Sequence, residues 1–360
     1  GSAKVTPLRL LIVDDSAYNR RNIAEVFASY PEVEVVGKAA DGEEALRLAT
    51  LLKPDVITLD LEMPRMDGFT FLRILLSRQP TPVIVVSSYS QKENVFKALE
   101  LGALDFVAKP SAQIAPDAID LREQIREKVL LVRQLRAMPP APISRRPPSS
   151  FSPERGLADS VSMRVTPAYV APKLVVAIAS STGGPSALLE IFSKIPASTP
   201  AGIVVAQHMP DKFTRTFAER LDRKGPVRTS EGQDGDRLGK CTGFVCPGRQ
   251  CMEVSQNGVE LRITVSAPRP EDRYVPSADR LLRSVAGAAG PRSVGVILTG
   301  MGDDGVEGAR AIRDAGGVVI AESQETAVVY GMPGAAVRAG LAQKVLPLPL
   351  IAEYLAQLPA

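Results

Sequence analysis

The sequence predicts two doubly wound α/β domains, each built on a parallel sheet and joined by a Pro/Ser-rich linker. Three observations carry this. Short apolar runs alternate with amphipathic stretches over residues 8–135 and again from residue 174 onward, the written form of strand–helix–strand units. Between them, residues 138–173 hold Pro139, Pro140, Pro142, Pro147, Pro148, Pro153, Pro167, Pro172 and many serines, a composition that packs no core and suits a semi-extended tether. A chain of 360 residues with 45% hydrophobic content is also long enough for two ordinary cores. The expected bounds are 6–136 for the first domain, 137–172 for the linker and 173–360 for the second domain.

Composition narrows the partners. Lys+Arg at 43 against Asp+Glu at 40 leaves a formal +3, which gives no footing for nucleic acid or an anionic membrane. No apolar run reaches the length of a membrane span and the N-terminus has no signal-peptide core, so a cytoplasmic monomer without membrane insertion is expected; Gly1-Ser2 reads as a cloning remnant. Cys241, Cys246 and Cys251 share the chain with a single histidine and form no Cys-x-x-Cys pair, which argues for free thiols over a zinc site.

In the first half the strands are expected at 10–13, 33–39, 56–59, 82–86 and 105–108. Their carboxyl ends carry Asp14-Asp15, Asp60, Ser87 and Lys109-Pro110. Open α/β sheets place ligands at that edge, so these residues should share one pocket. Three carboxylates in one pocket repel each other unless a cation sits among them, and oxygen ligands suit Mg²⁺. A lysine and a hydroxyl beside a metal-bound aspartate are what phosphoryl transfer to a carboxylate requires. With Met63-Pro64-Arg65-Met66-Asp67-Gly68 after Asp60, the first domain resembles the response-regulator receiver family over nearly all its length. The resemblance implies a flavodoxin-like fold, Asp60 as phosphoacceptor, and Asp14 and Asp15 with Asp60 as Mg²⁺ ligands. It also implies Ser87 and Lys109 as the phosphate-sensing pair, Phe106 as an aromatic that switches rotamer, and a cis peptide at Lys109-Pro110. A charged amphipathic helix over 118–135 runs from this domain toward the linker.

The second half turns on Ala179-Ser180-Ser181-Thr182-Gly183-Gly184-Pro185, which follows the apolar run 174–178 and precedes a helical pattern over 186–194. A serine at such a strand-to-helix turn stands at the carboxyl edge of a sheet, beside N–H groups able to hold an oxyanion. The same turn also suits a phosphate cradle, and the residues alone divide evenly between the two. The sole histidine, His208, ends the apolar run 203–208. A third run, 294–298, leads into Thr299-Gly300-Met301-Gly302-Asp303-Asp304-Gly305. Nucleophile, base and carboxylate at three strand ends are the parts of a serine hydrolase. Ala179, where an α/β-hydrolase elbow has glycine, argues against a lipase-type site. Further on, the pattern predicts helices over 211–223, 279–289, 304–315 and 351–358, a strand over 318–321, and a hairpin over 250–265 turning on Asn257-Gly258 as a type I′ pair.

The motifs Ser180-Ser181-Thr182-Gly183-Gly184, Gln207-His208-Met209-Pro210, Pro247-Gly248 and Leu298 to Gly305 resemble the catalytic domain of the bacterial chemotaxis methylesterase family. The receiver–linker–esterase order matches that family end to end. The resemblance implies a Rossmann-like second domain with Ser181 as nucleophile, His208 as base and Asp304 as orienting acid. Backbone N–H groups near Thr182 and Met301 would be the oxyanion donors. It further implies methyl-accepting chemoreceptors as substrate, a chemotaxis histidine kinase as phosphodonor, glutamine deamidation beside ester hydrolysis, and a receiver that covers the catalytic edge until Asp60 is phosphorylated. Ala179 and Ser180 stand where the family has Gly-Ala, and Asp303 where it has Asn; a carboxylate there is expected to face His208. Three other readings are a methylesterase of a non-motility chemosensory pathway, a non-catalytic receiver-output binding protein, and a DNA-binding regulator. The last lacks a basic recognition helix in the output half.

Overall fold

The computed structural model describes residues 5–137 and 168–360, and the expected linker lies mostly outside them. The first domain runs β1 (Leu8–Val13), α1 (Ala17–Val26), β2 (Val33–Ala39), α2 (Gly42–Leu52), β3 (Val56–Leu59), α3 (Gly68–Arg78), β4 (Val83–Ser88), α4 (Lys92–Leu101), β5 (Asp105–Lys109) and α5 (Ile119–Ala137). Its sheet has the order β2-β1-β3-β4-β5 with every pair parallel. β3 is buried along its whole length and β1 nearly so, because helices cover both faces of the sheet. Ser16, Asp41 and Asp67 cap α1, α2 and α3 by accepting from Asn19, Glu44 and Thr70 N–H, which fixes the loops that leave the carboxyl edge.

The second domain continues with β6 (Leu174–Ser180), α6 (Gly184–Lys194), β7 (Ala201–Gln207), α7 (Phe213–Lys224), β8 (Arg228–Glu231), β9 (Arg237–Leu238), β10 (Thr242–Val245), β11 (Cys251–Asn257), β12 (Glu260–Ser266), α8 (Ala278–Ala289), β13 (Ser293–Ile297), α9 (Val306–Asp314), β14 (Val318–Glu322), α10 (Met332–Arg338), β15 (Lys344–Leu346) and α11 (Leu348–Ala356). Seven strands form one parallel sheet in the order β15-β14-β13-β6-β7-β10-β8. β6 is its middle strand, hydrogen-bonded to β13 on one side and β7 on the other, with Ala179 opposite both Ile297 and Ala206. β11, β12 and β9 make a small antiparallel sheet.

Two local expectations change. The hairpin turns on Gly258-Val259, one residue later than expected: Asn257 still pairs with Glu260, and Gly258 has the positive φ of 64° while Val259 has none. A β-branched residue resists φ > 0, so a type I′ pair gives way to a turn with glycine at its first central position. The cis peptide bond among the described residues is Val275-Pro276, and Lys109-Pro110 is not cis.

The two domains share one apolar core. Phe96 of α4 stacks on Phe217 of α7 at 5.5 Å between centroids, and Phe106 of β5 lies 4.8 Å from Phe213 at the start of α7. All four rings are buried. Around them, Arg220 of α7 pairs with Glu93 at 3.0 Å and Glu100 at 2.7 Å, while Ser186 of α6 donates to the Leu99 carbonyl at 3.2 Å.

Candidate functional site

Two sheet edges gather chemistry-bearing side chains. At the carboxyl edge of the first sheet, oxygens of Asp14, Asp15 and Asp60 lie within 4.8 Å of one another. Lys109 Nζ stands 3.8 Å from Asp60 Oδ2 and 4.0 Å from Asp14 Oδ2. Asp14 Oδ1 accepts from the Ser16 N–H, but the buried Asp14 Oδ2 has no hydrogen-bond partner. A hard oxygen donor set with an orphaned buried carboxylate oxygen fits a divalent cation. Burial drives the Asp60 carboxyl up to about 7, against the pull of Lys109; burial also raises that of Asp14. Ser87 and Lys109, at the ends of β4 and β5, are both buried at the same edge. Phe106 points away from it into the aromatic contact with Phe213.

The second site lies where β6, β7 and β13 end. Ser181 follows β6, and its N–H donates to the Thr299 carbonyl at 3.0 Å, which ties the turn to the loop after β13. Its Oγ accepts from the Met301 N–H at 2.8 Å, so that amide points into the space beside the hydroxyl. His208 follows β7, and its N–H donates to the Ser180 carbonyl at 3.0 Å. Its imidazole Nε2 donates to Asp304 Oδ2 at 2.6 Å. That bond leaves Nδ1 as the nitrogen with a lone pair. Among the described residues the imidazole makes no hydrogen bond to the Ser181 hydroxyl.

Asp304 is 1% exposed, and its charge is held by more than the histidine. At the N-terminus of α8, the Ala278 N–H donates to Oδ2 at 2.8 Å and the Asp279 N–H to Oδ1 at 3.0 Å. A helix start offers backbone N–H groups with no partner inside the helix, and here two of them bind the two oxygens of this carboxylate. Asp279 returns the arrangement, its Oδ1 accepting from Gly305 and Gly308 N–H at the start of α9. The two helix starts are thereby locked together, and Asp304 with them.

Gln207, Thr299, Asp279 and Tyr274 are the functional neighbours that sequence reasoning missed. Gln207 Nε2 donates to the carbonyls of Ser181 at 2.9 Å and His208 at 3.1 Å, and its Oε1 accepts from the Ser180 hydroxyl at 2.5 Å. Ser180 is fully buried in that bond, so the second hydroxyl of the turn is spoken for. Thr299 Oγ1 donates to the Thr182 carbonyl at 2.8 Å. Gln207 and Thr299 sit inside the quoted motifs, whereas nothing in the sequence marks Asp279 or Tyr274. Asp303 does not face the histidine: its carboxylate accepts from the Tyr274 hydroxyl at 2.9 Å and pairs with Arg273 at 3.4 Å. Thr182 Oγ1 reaches into the first domain and donates to Asp105 Oδ2 at 2.7 Å, which also pairs with Lys128 at 2.7 Å.

The fold and its two edges define a response regulator whose output domain is a hydrolase. Residues 176–355 match the CheB methylesterase family, and residues 10–118 match the response regulator receiver domain. The chain belongs to the CheB methylesterase family. It is 45% identical to protein-glutamate methylesterase/protein-glutamine glutaminase 3 of Geobacter sulfurreducens, over 97% of this chain and 97% of that protein. It is also 45% identical to protein-glutamate methylesterase/protein-glutamine glutaminase 1 of Myxococcus xanthus, over 98% of this chain and 97% of the relative. The crystal structure of the Thermotoga maritima CheB methylesterase catalytic domain is similar at TM-score 0.51 and 36% identity, covering 53% of this chain and 100% of that one. Among the described residues no helix is long and apolar enough to cross a membrane.

Gly184 tests the brace at the serine turn. A Cβ there would lie 2.0 Å from Gln207 Oε1 and 2.7 Å from the Ser180 Cβ. Gly184→Ala is expected to cost about 1–3 kcal/mol of second-domain stability, as overpacking of a filled site does. Denaturant unfolding checks this; an unchanged midpoint would show that Gln207 swings clear without loss.

Proposed function

We propose that the chain hydrolyses glutamate γ-methyl esters, and deamidates glutamines, on the cytoplasmic domains of methyl-accepting chemoreceptors. The single observation that carries this is the 2.6 Å His208–Asp304 bond formed beside Ser181 at adjoining strand ends. Ser181 Oγ attacks the ester carbonyl carbon as its proton passes to His208 Nδ1. The oxyanion takes the Met301 N–H, with the Thr182 backbone as second donor, and the C–O bond breaks as His208 returns the proton to the leaving methoxide, giving methanol. Water then repeats the sequence on the acyl-enzyme and restores the serine. Asp304 holds the Nε2–H tautomer that leaves Nδ1 basic. A glutamine side chain differs only in its leaving group, ammonia.

Residues 6–136 act as the receiver and 173–360 as the catalytic domain of this cytoplasmic monomer. Asp60 accepts a phosphoryl group from a chemotaxis histidine kinase, with Asp14, Asp15 and Asp60 holding a Mg²⁺ that supplies charge neutralisation. Ser87 and Lys109 bind the new phosphoryl oxygens. Phe106 links that edge to the catalytic domain, because its ring packs on Phe213 while the adjacent Asp105 holds Thr182, next to the nucleophile. In the unphosphorylated state the receiver thus sits against the catalytic edge, and phosphorylation shifts the population toward an open arrangement.

Ser181→Ala is expected to reduce methyl release by about a thousandfold or more, and His208→Gln nearly as much, since members of such a unit fail together. Ser180→Ala keeps the nucleophile; activity that survived Ser181→Ala but not Ser180→Ala would reverse the assignment. For regulation, the fragment 173–360 should release methyl faster than the unphosphorylated full chain, and Asp60→Ala should hold the low rate. Arg220→Glu, which sets like charges against Glu93 and Glu100, should raise the basal rate of the full chain by about 3–10-fold, as 1 kcal/mol or so of lost contact implies. A fragment no faster than the resting chain would leave activation by contact instead of by relief.

The Mg²⁺ assignment has its own readout. An acid whose folded-state pKa is raised keeps its proton in the folded state where the unfolded chain has lost it. The metal-free receiver therefore loses stability as pH rises from the ordinary carboxylate range through about 7. Protons compete with the cation below that value, so Mg²⁺ should raise the receiver melting temperature more at about pH 8 than at about pH 6. Equal shifts in calorimetry at both would count against Asp60 as a ligand.

A further inference from the structure

We infer that Tyr274 is a positioning residue for His208, holding the imidazole in plane between the Ser181 hydroxyl and Asp304; the inference rests on the serine-hydrolase reading above. Tyr274 lies in the loop between β12 and α8. Its ring stacks on the imidazole of His208 with centroids 5.3 Å apart and planes 13° from parallel. That separation is an offset stack, the arrangement aromatic pairs prefer. The Asp304 bond fixes only one end of the imidazole. A ring held at Nε2 alone still tilts about that bond, and such tilt carries Nδ1, the proton acceptor, away from the serine. The tyrosine face removes that freedom.

The tyrosine is itself anchored to the loop that carries the other working groups. Its hydroxyl donates to Asp303 Oδ1 at 2.9 Å and accepts from the Asp303 N–H at 3.4 Å. Arg273 pairs with the same carboxylate and lies 5.5 Å from the tyrosine ring centroid. Gly302, at φ 90°, leaves room for this approach: a Cβ there would lie 2.6 Å from the Tyr274 hydroxyl. One side chain therefore references the imidazole to the 301–304 loop, which also presents the Met301 amide and Asp304. Asp303 gains a purpose by this geometry, as the acceptor that fixes the tyrosine and not as a charge beside the histidine.

The chain's single histidine makes the test direct, because its two ring nitrogens are the sole imidazole signals in a ¹⁵N spectrum of the full chain. In the wild type, at a pH where the ring is neutral, the two shifts should be well separated, one protonated and one bare. Tyr274 is half-buried at the surface, so the fold should tolerate its replacement. For Tyr274→Leu the two shifts should stay separated, because Asp304 still holds the Nε2–H tautomer, while the rate at which a fluorophosphonate labels Ser181 should fall about 10–100-fold as Nδ1 tilts away from the hydroxyl. The turnover number on a methylated receptor fragment should fall about 10–100-fold, the scale of a misplaced catalytic group, with KM within about threefold. Tyr274→Phe keeps the ring but loses the Asp303 anchor, so its labelling rate and turnover should lie between those of the wild type and Tyr274→Leu. A Ser181 labelling rate in Tyr274→Leu within about threefold of the wild type overturns the inference, and so do shifts that merge, which would put the change at the Asp304 bond. So does a raised KM at unchanged turnover, which would make the tyrosine a substrate contact. If the wild-type chain released no methyl group, the methylesterase reading would fail while the Ser181 labelling rate still judged the tyrosine.

Discussion

The pairing of β6 with β13 on one side and β7 on the other is the constraint on which the rest depends. Each pairing sets two strands about 4.8 Å apart. Because the register places Ala179 level with Ile297 and Ala206, all three strands end at the same height. The residues after them, Ser181, His208 and the 299–304 loop, then have nowhere to go but one shallow edge. Parallel strands demand long crossovers, and here α6 and the β7-to-β13 excursion supply them. The site is consequently a product of the whole sheet: no short segment of the chain contains it.

The edge would still be loose without its second layer. Strand ends fix backbone positions to a few tenths of an ångström but leave side chains to their rotamers. Gln207 removes that freedom at the serine turn by bonding both carbonyls and the neighbouring hydroxyl. The starts of α8 and α9 remove it at the acid: the start of α8 holds Asp304, two residues before α9, and the start of α9 holds Asp279 of α8. Buried polar groups of this kind are costly if any member is unpaired, so the network specifies one arrangement.

The strands and their terminal residues were legible because apolar runs ending in Asp, Ser, His or Lys are local patterns. Most helices fell within a residue or two of their observed ends, with 351–358 starting three residues early at Leu348 in the fold. What was illegible depends on partners far away in sequence. Asp303 looked like a neighbour of His208 because it adjoins Asp304, yet a single peptide unit sends it to Tyr274 instead. Phe213 and Phe217 belong to the helix expected over 211–223, and only tertiary packing shows that they join Phe96 and Phe106 of the first domain in one cluster. The short strands β8, β9, β10 and β15 carry two to four residues each, too few for an alternation to be recognised.

The cluster of Phe96, Phe106, Phe213 and Phe217 has a thermal consequence. Contacts made of buried rings carry a large heat-capacity change on separation, and apolar burial weakens as water is cooled. Under the regulation proposed above, the closed and open arrangements are therefore balanced differently at each temperature. A resting enzyme held shut by rings leaks more in the cold. In the proposed scheme this would appear as a drift of the resting catalytic rate with temperature, set by four phenylalanines.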